Sequence, residues 1–429
     1  METDDQTHLE TIEQSAEHIL APALVEFVKW ILRSAGEQGI RRIYFLARDG
    51  YPMYRAAEIL SAGREPKIEC RYLKCSRYSL RIPSFHLMGR DALEQICLGG
   101  ISVTLRKVLK RGGLTEQEAE ETARAMKGEK ELDRILSYRE VRDLRGVLAR
   151  TELFWNYVSA HAAEAYDAAV GYLRSEGLLE DMDYAVADSG WTGSIQRTLR
   201  MLTASAGYKG RITGYYFGLW HIPAGVGKEE YHAYYFGPLG KIRRKVYFSN
   251  SLFECVCSEP AGMTTGYLRT QGGYVPVEEA GRIENREALE LIHSAVVRRA
   301  EQEAGRLPAQ SALWRPGGDT RRIHKRLAQL MSRPDRAQAE AFGRMKFTDD
   351  VLDAGHLLAP LLTEREIRQN HFWAKILSMT GIRKAPVRES AWMEGSIVRS
   401  GGAVGWHLLQ NRIYKYLLYI KKDILERIK

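Results

Sequence analysis

The chain has 429 residues, 45% of them hydrophobic, and 63 Lys+Arg against 54 Asp+Glu leave a net charge of +9. That length can bury a large core over roughly two or three domains, and the basic excess suits anionic ligands or surfaces. No zinc-finger spacing, recognition-module signature or RGG tract is present, which argues against nucleic acid, and five cysteines without a CxxC pair read as reduced thiols, not a disulfide framework.

The chain opens on the acidic Met-Glu-Thr-Asp-Asp with no apolar h-region after it, and no apolar run reaches the length of a membrane span. A cytoplasmic location is therefore expected. Residues 16–35 carry Leu20, Leu24, Phe27, Val28, Ile31 and Leu32 on one side, the periodicity of an amphipathic helix. A first strand follows in Ile43-Tyr-Phe-Leu46 and ends in Arg48-Asp49-Gly50, with Pro52 suited to the first turn of the next helix. Arg48 and Asp49 at such a strand end either meet a ligand or form an ion pair that fixes the turn. A second strand, residues 68–73, ends in the basic loop Lys74-Cys-Ser-Arg77.

A polar, helix-rich segment over 84–177 reads as an insertion. Thr115-Glu-Gln-Glu118 is a capping box within it, and 152–175 is a longer helix rich in Ala, Tyr and Leu. Next comes Tyr184-Ala-Val-Ala-Asp188-Ser-Gly190-Trp-Thr192-Gly193-Ser194, an apolar run that stops at an acid, then a small-residue loop, then helical spacing. The unpaired N–H groups of Ser189, Gly190, Trp191, Thr192, Gly193 and Ser194 ahead of a helix suit a phosphate, and Asp188 can hold Mg2+ or sugar hydroxyls beside it. The plainer reading is that Asp188 and Ser194 cap a turn and a helix. Strands are expected over 211–220 and 231–236. The alternation of strand, loop and helix predicts an α/β core with a mainly parallel sheet, Rossmann-like or phosphoribosyltransferase-like, and ligands beyond the carboxyl ends of its strands.

From residue 250 the texture changes. Residues 250–260 read as a short helix presenting Glu254 and Glu259, which makes Glu254 a candidate acid or base. A strand edge is expected over 262–267, a linker over 271–282, and an almost wholly helical stretch over 285–380. Ser390-Ala-Trp392-Met-Glu394-Gly-Ser396 reads as a loop in which Trp392 anchors the tail or Glu394 reaches a ligand. The last helix, 406–429, aligns Trp406, Leu409, Ile413, Leu417, Ile420, Ile424 and Ile428, with Arg412, Lys415, Lys421, Lys422, Arg427 and Lys429 elsewhere. A stripe of this kind more often docks on its own domain, and it can instead make peripheral contact with an anionic membrane face. The expected division is thus 1–83 and 178–270 for the α/β core, 84–177 for the insertion and 285–429 for a helical C-terminal region.

The pieces Tyr44-Phe-Leu-Ala-Arg48-Asp49-Gly50, Cys75-Ser-Arg77-Tyr-Ser-Leu80-Arg-Ile-Pro83, Asp188-Ser-Gly-Trp-Thr-Gly-Ser194, Leu252-Phe-Glu254 and Trp392-Met-Glu-Gly-Ser396 resemble, in order, the C-terminal region of large bacterial proteins. Those proteins are labelled HAD-superfamily hydrolase-like and are associated with surface-polysaccharide biosynthesis. The resemblance implies a role in that process. HAD phosphohydrolase chemistry itself needs a DxD pair with Mg2+ nearby, and here Tyr51 stands where the second aspartate belongs.

The order of parts is also similar to that of type I phosphoribosyltransferases, through Arg48-Asp49-Gly50, Lys74-Cys-Ser-Arg77 and Asp188 to Ser194. Ala187 replaces the neighbouring acid of the usual pair. The resemblance implies a phosphorylated sugar or nucleotide-sugar as ligand and transfer of a group from or onto it, with Mg2+ as the metal at Asp188 and no organic cofactor. Arg48, Lys74 and Arg77 would then neutralise phosphate charge, and Asp49 would serve as base. The alternatives are a HAD-like phosphohydrolase and a non-catalytic scaffold at the membrane surface.

Overall fold

A computed structural model of the chain describes residues 2–65, 67–99, 103–128, 131–280, 284–306, 319–348, 355–379 and 390–428. Its centre is a five-stranded parallel sheet of β1 (Arg42–Leu46), β2 (Glu69–Leu73), β3 (Tyr184–Trp191), β4 (Ile212–Leu219) and β5 (Tyr231–Phe236). The strands lie in the order β2-β1-β3-β4-β5. This is the expected α/β fold, Rossmann-like in its parallel sheet and flanking helices.

Strand residues alternate between two cores because successive side chains of a strand point to opposite faces. Ile43, Phe45, Ala185, Ala187, Tyr215 and Phe217 enter one apolar cluster. Tyr44, Leu46, Tyr184 and Val186 enter a second on the other face. A sheet covered on both faces needs apolar residues at every strand position, which is why β1 and β4 are buried along their whole length. The first face is covered by the helices Ala21–Glu37, Tyr51–Ser61 and Arg286–Gly305, the second by Glu152–Ser175 and Ser194–Ser205.

The insertion has a core of its own, from Ile82 and Phe85 through Val108 and Leu109 to Phe154, Trp155 and Ala162. It joins the sheet through the helices Arg77–Met88 and Glu152–Ser175. The helical region after 285 is not set apart in this way. Ile292, Val296, Leu327, Leu330, Phe342 and Trp392 belong to the same cluster as Phe27, Phe45 and Phe217.

Several local expectations change. The stretch expected as a linker holds β7 (Gly273–Glu278), which forms an antiparallel hairpin with β6 (Thr264–Thr270). The turn residues Gln271-Gly272, and Gly273 at φ +126°, close that hairpin; residues 281 and 282 lie outside the described set. The helical run of 285–380 is interrupted by a short antiparallel pair, Lys346–Phe347 with His356–Leu357. The loop expected around Glu394 is the helix Met393–Ser400, and Trp392 ahead of it is fully buried, donating from Nε1 to the Met331 carbonyl at 2.8 Å. The last helix, Val404–Ile428, does dock, but through the face opposite its apolar stripe. His407, Leu408, Asn411 and Asp423 are buried, whereas Trp406, Leu409, Leu417, Ile420 and Ile424 are exposed.

Candidate functional site

The sheet order fixes where a pocket can form. The chain leaves β1 for β2 on one side and returns to β3 on the other, so the crossovers diverge between β1 and β3 and leave a crevice at their carboxyl ends. A cavity of about 600 Å³ opens there, lined by Arg48, Asp49, Arg77, Asp188 to Ile195 and Glu254.

Its floor is a pair of aspartates from the two adjacent strands. Asp49 follows β1 and Asp188 lies within β3, whose regular pairing with β4 runs on through Gly190 and Trp191. Ser189 and Gly190, expected in a loop, are therefore strand residues, and the connection before the helix is only Thr192-Gly193. Ser189 stands between the two acids. Its Oγ donates to Asp49 Oδ2 at 2.5 Å, and its backbone N–H donates to Asp188 Oδ1 at 2.8 Å.

Burial raises the pKa of both aspartates. For Asp49 it outweighs the Ser189 hydroxyl and the nearby Arg48 and Arg77, which act downward. Asp188 is pushed up to about 7 by burial and then by the Asp49 charge, against the Ser189 N–H, Arg77 and the Gly190 N–H. Two carboxyl groups placed this way resist ionising together, so the upward push on Asp188 keeps its proton toward neutral pH. A bound cation would relieve the same repulsion. Two carboxylates with open space beside them also fit the way Mg2+ binds, with one or two protein oxygens and the remainder from substrate phosphates and water. Among the described residues no group of three or more His, Cys, Asp or Glu makes a metal cage.

The turn beside these acids depends on unusual backbone. Gly190 has φ +108°, and a Cβ there would lie 2.4 Å from the Gly218 carbonyl oxygen. Gly193 has φ +60°, and a Cβ there would lie 2.5 Å from the Tyr231 ring. Trp191 takes a positive φ of 74° without being glycine. Its ring is held by Phe236, Phe248 and Phe253, and its Nε1 donates to Glu254 Oε1 at 2.5 Å. Thr192 Oγ1 donates to Ser194 Oγ at 3.2 Å. The Ser194–Ser205 helix has no side-chain cap at Gly193, so its first N–H groups lack a side-chain acceptor, and Thr192, Gly193 and Ser194 at that end line the cavity.

Arg77 occupies the first position of the Arg77–Met88 helix, which Ser76 caps reciprocally with Ser79. Its guanidinium lies 3.9 Å from Glu254 Oε1 and its side chain is 55% exposed. Glu254, on the helix Asn250–Cys257, thus meets Trp191 and Arg77 at one wall.

Three expected site residues stand elsewhere. Lys74 is not in the lining; its ammonium is held by Glu259 and Glu278, each at 2.8 Å, and Tyr72 donates to Glu259 at 2.8 Å. Burial lowers the lysine pKa, but the two carboxylates more than offset that and raise it. Gly50 is also outside the lining. Its N–H donates to the Leu46 carbonyl at 2.8 Å, and a Cβ would lie 2.5 Å from that same oxygen, so it closes the turn after β1. Glu394 is buried beneath the last helix, where Asn411 donates to it at 3.0 Å and Lys415 at 2.5 Å. Tyr51 packs edge-on against Tyr72 beside His293, outside the lining.

The structure adds Ser76, Tyr78, Arg81, Arg111 and Lys346 to the lining. Arg81 was legible, four residues after Arg77 and hence on the same helix face. Arg111 and Lys346 come from the insertion and the region after 285, and nothing local marks them. The five cysteines are free, and burial raises the thiols of Cys75, Cys255 and Cys257, Cys255 to about 12, so none is a thiolate at neutral pH. No protein-family model matches the chain, and no curated protein does; the functional reading rests on this pocket.

Proposed function

We propose that the pocket binds a phosphorylated sugar or nucleotide-sugar and that the protein transfers a group from or onto it, in the assembly of a surface glycan. One observation carries the reading. Two partly buried aspartates stand on adjacent parallel segments, Asp49 just after β1 and Asp188 within β3, with Arg48 and Arg77 acting on them and an uncapped helix N-terminus at the same rim. Cationic and N–H groups would take the phosphates, and the acids would take hydroxyls.

In this reading Arg48, Arg77 and the Thr192–Ser194 turn hold the phosphate and stabilise the charge it gains as it leaves. Asp188 orients sugar hydroxyls. Asp49 accepts the proton of an acceptor hydroxyl while that oxygen bonds to the sugar carbon and the phosphate departs with the bonding pair. The Ser189 hydroxyl fixes which Asp49 oxygen is available. Mg2+ beside Asp188 would add charge neutralisation at the phosphate.

Calorimetry with phosphoribosyl pyrophosphate and a panel of nucleotide-sugars, with and without Mg2+, tests the reading. Saturable binding that weakens at least tenfold in Asp188→Ala is expected. Release of inorganic phosphate from simple phosphomonoesters would favour a hydrolase instead. No binding across the panel by folded protein would overturn the reading and favour a scaffold.

A further inference from the structure

The Val404–Ile428 helix leaves most of an apolar stripe exposed. Trp406, Leu409, Ile413, Leu417, Ile420 and Ile424 recur at steps of three and four, which keeps them in one line on a helix for about 27 Å. Ile413 is half-buried, and the others are between 41% and 55% exposed. The docking face lies on the other side. There Asn411 and Lys415 hold Glu394, Asp423 accepts from the Gly240 N–H at 2.5 Å, and Tyr419 stacks on Trp220 at 4.9 Å. The helix is thus fixed in place by contacts that owe nothing to the stripe.

What borders the stripe identifies its occupant. Arg412, Lys421 and Arg427 flank it, and Arg412 and Arg243 both lie over the Tyr247 ring, at 5.4 and 5.8 Å. Trp373, 69% exposed, is on the neighbouring helix Phe372–Met379, which meets this one where Lys375 lies over Tyr414 at 4.9 Å. Two copies of the helix joined along the stripe would bring these cationic rows together at an unfavourable cost. An anionic bilayer surface accepts the apolar ridge between headgroups and pairs with the cations on either side, while Trp and Tyr suit the interface. No described helix is long and apolar enough to cross a membrane, so the contact is parallel to the surface.

We propose that the exposed stripe of the Val404–Ile428 helix, with its flanking Arg and Lys residues, binds the surface of an anionic lipid bilayer. This surface is separate from the β1/β3 pocket, and the proposal stands whatever that pocket binds.

The full chain is sedimented with vesicles of pure phosphatidylcholine and of 70:30 phosphatidylcholine:phosphatidylserine, at 0.1 and 0.5 M NaCl. Partitioning onto the anionic vesicles at least tenfold above the neutral ones, falling at high salt, is expected. The triple variant Leu417→Ser, Ile420→Ser, Ile424→Ser alters only exposed side chains and should lose at least tenfold in partitioning with its circular dichroism unchanged. Arg412→Glu with Lys421→Glu should lose binding with the apolar stripe intact, which keeps the test decisive if the triple variant misfolds. Equal binding to both vesicles, or no binding at all, overturns the proposal. So does a native dimer that ignores vesicles and becomes monomeric in the triple variant.

Discussion

Ser189 Oγ donates to Asp49 Oδ2 at 2.5 Å and so ties the carboxyl end of β3 to the turn that follows β1. Residues 140 positions apart are joined across the crevice, and the hydroxyl proton is spent on Asp49, leaving Asp188 to be solvated by the N–H groups of Ser189 and Gly190. Ser189→Ala removes that donor from a partly buried carboxyl group. A loss of about 1–3 kcal/mol in urea unfolding at pH 8 is expected, and the Asp49 pKa should move further up, readable by carboxyl-directed NMR titration.

The aspartate pair sets a pH dependence with a definite sign. The folded protein binds the Asp188 proton more tightly than the unfolded chain does, because the pKa rises from 3.8 to about 7. Its contribution to stability is greatest below about pH 4, declines as the pH rises to about 7 and is level above that. Asp188→Asn should flatten this decline and make the protein more stable than native at pH 8, by on the order of 2–4 kcal/mol, when unfolding midpoints are compared at pH 5 and pH 8.

Lys74 and Arg77 stand three residues apart and should separate in opposite ways. Lys74→Met removes the cation from Glu259, whose side chain is 12% exposed and keeps only the Tyr72 hydroxyl of these two partners, and should cost about 2–3 kcal/mol of stability with phosphosugar affinity unchanged at a temperature where the variant is folded. Arg77→Met, at an exposed helix start, should change stability by no more than about 1 kcal/mol and lower ligand affinity at least tenfold. Paired unfolding and calorimetry of the two variants decides this.

Gly190→Ala should be severe. The substituted residue would be forced to keep φ +108° with its Cβ 2.4 Å from the Gly218 oxygen, so β3 and β4 must separate beside the pocket. A loss of at least about 2–3 kcal/mol in thermal or urea unfolding is expected. Gly225→Ala, with nothing within 4 Å of its Cβ but a φ of +75°, provides a control for backbone strain alone.

The fold and the placement of the two acid-bearing strands were legible because they depend on local pattern. Apolar runs that lead to Asp49 and Asp188 gave the strands, and the helices between them gave the parallel direction; the strand order came from the structure. The residues that misled are those whose role depends on distant partners. Lys74 reads as a phosphate ligand until Glu259 and Glu278 arrive from the hairpin region, and Glu394 reads as a loop acid until Asn411 and Lys415 close over it. Ser189 and Gly190 read as loop because glycine and serine favour turns, yet pairing with β4 extends the strand through them. The direction of the 404–428 stripe was hidden for a related reason. Periodicity shows that a face is apolar, and only the tertiary contacts show which face is covered.

The apolar cluster that runs from Ile12 through Phe217 to Trp392 also determines how the chain can be divided. A fragment ending near residue 270 would leave Phe27, Phe45 and Phe217 without Ile292, Val296 and Leu327, and its counterpart would carry those side chains with nothing to cover them. Neither half keeps this cluster whole. The change in sequence texture from residue 250 and the helical region expected from 285 both fall inside one shared apolar cluster, so pieces expressed separately should be recovered only when mixed, as complementing fragments.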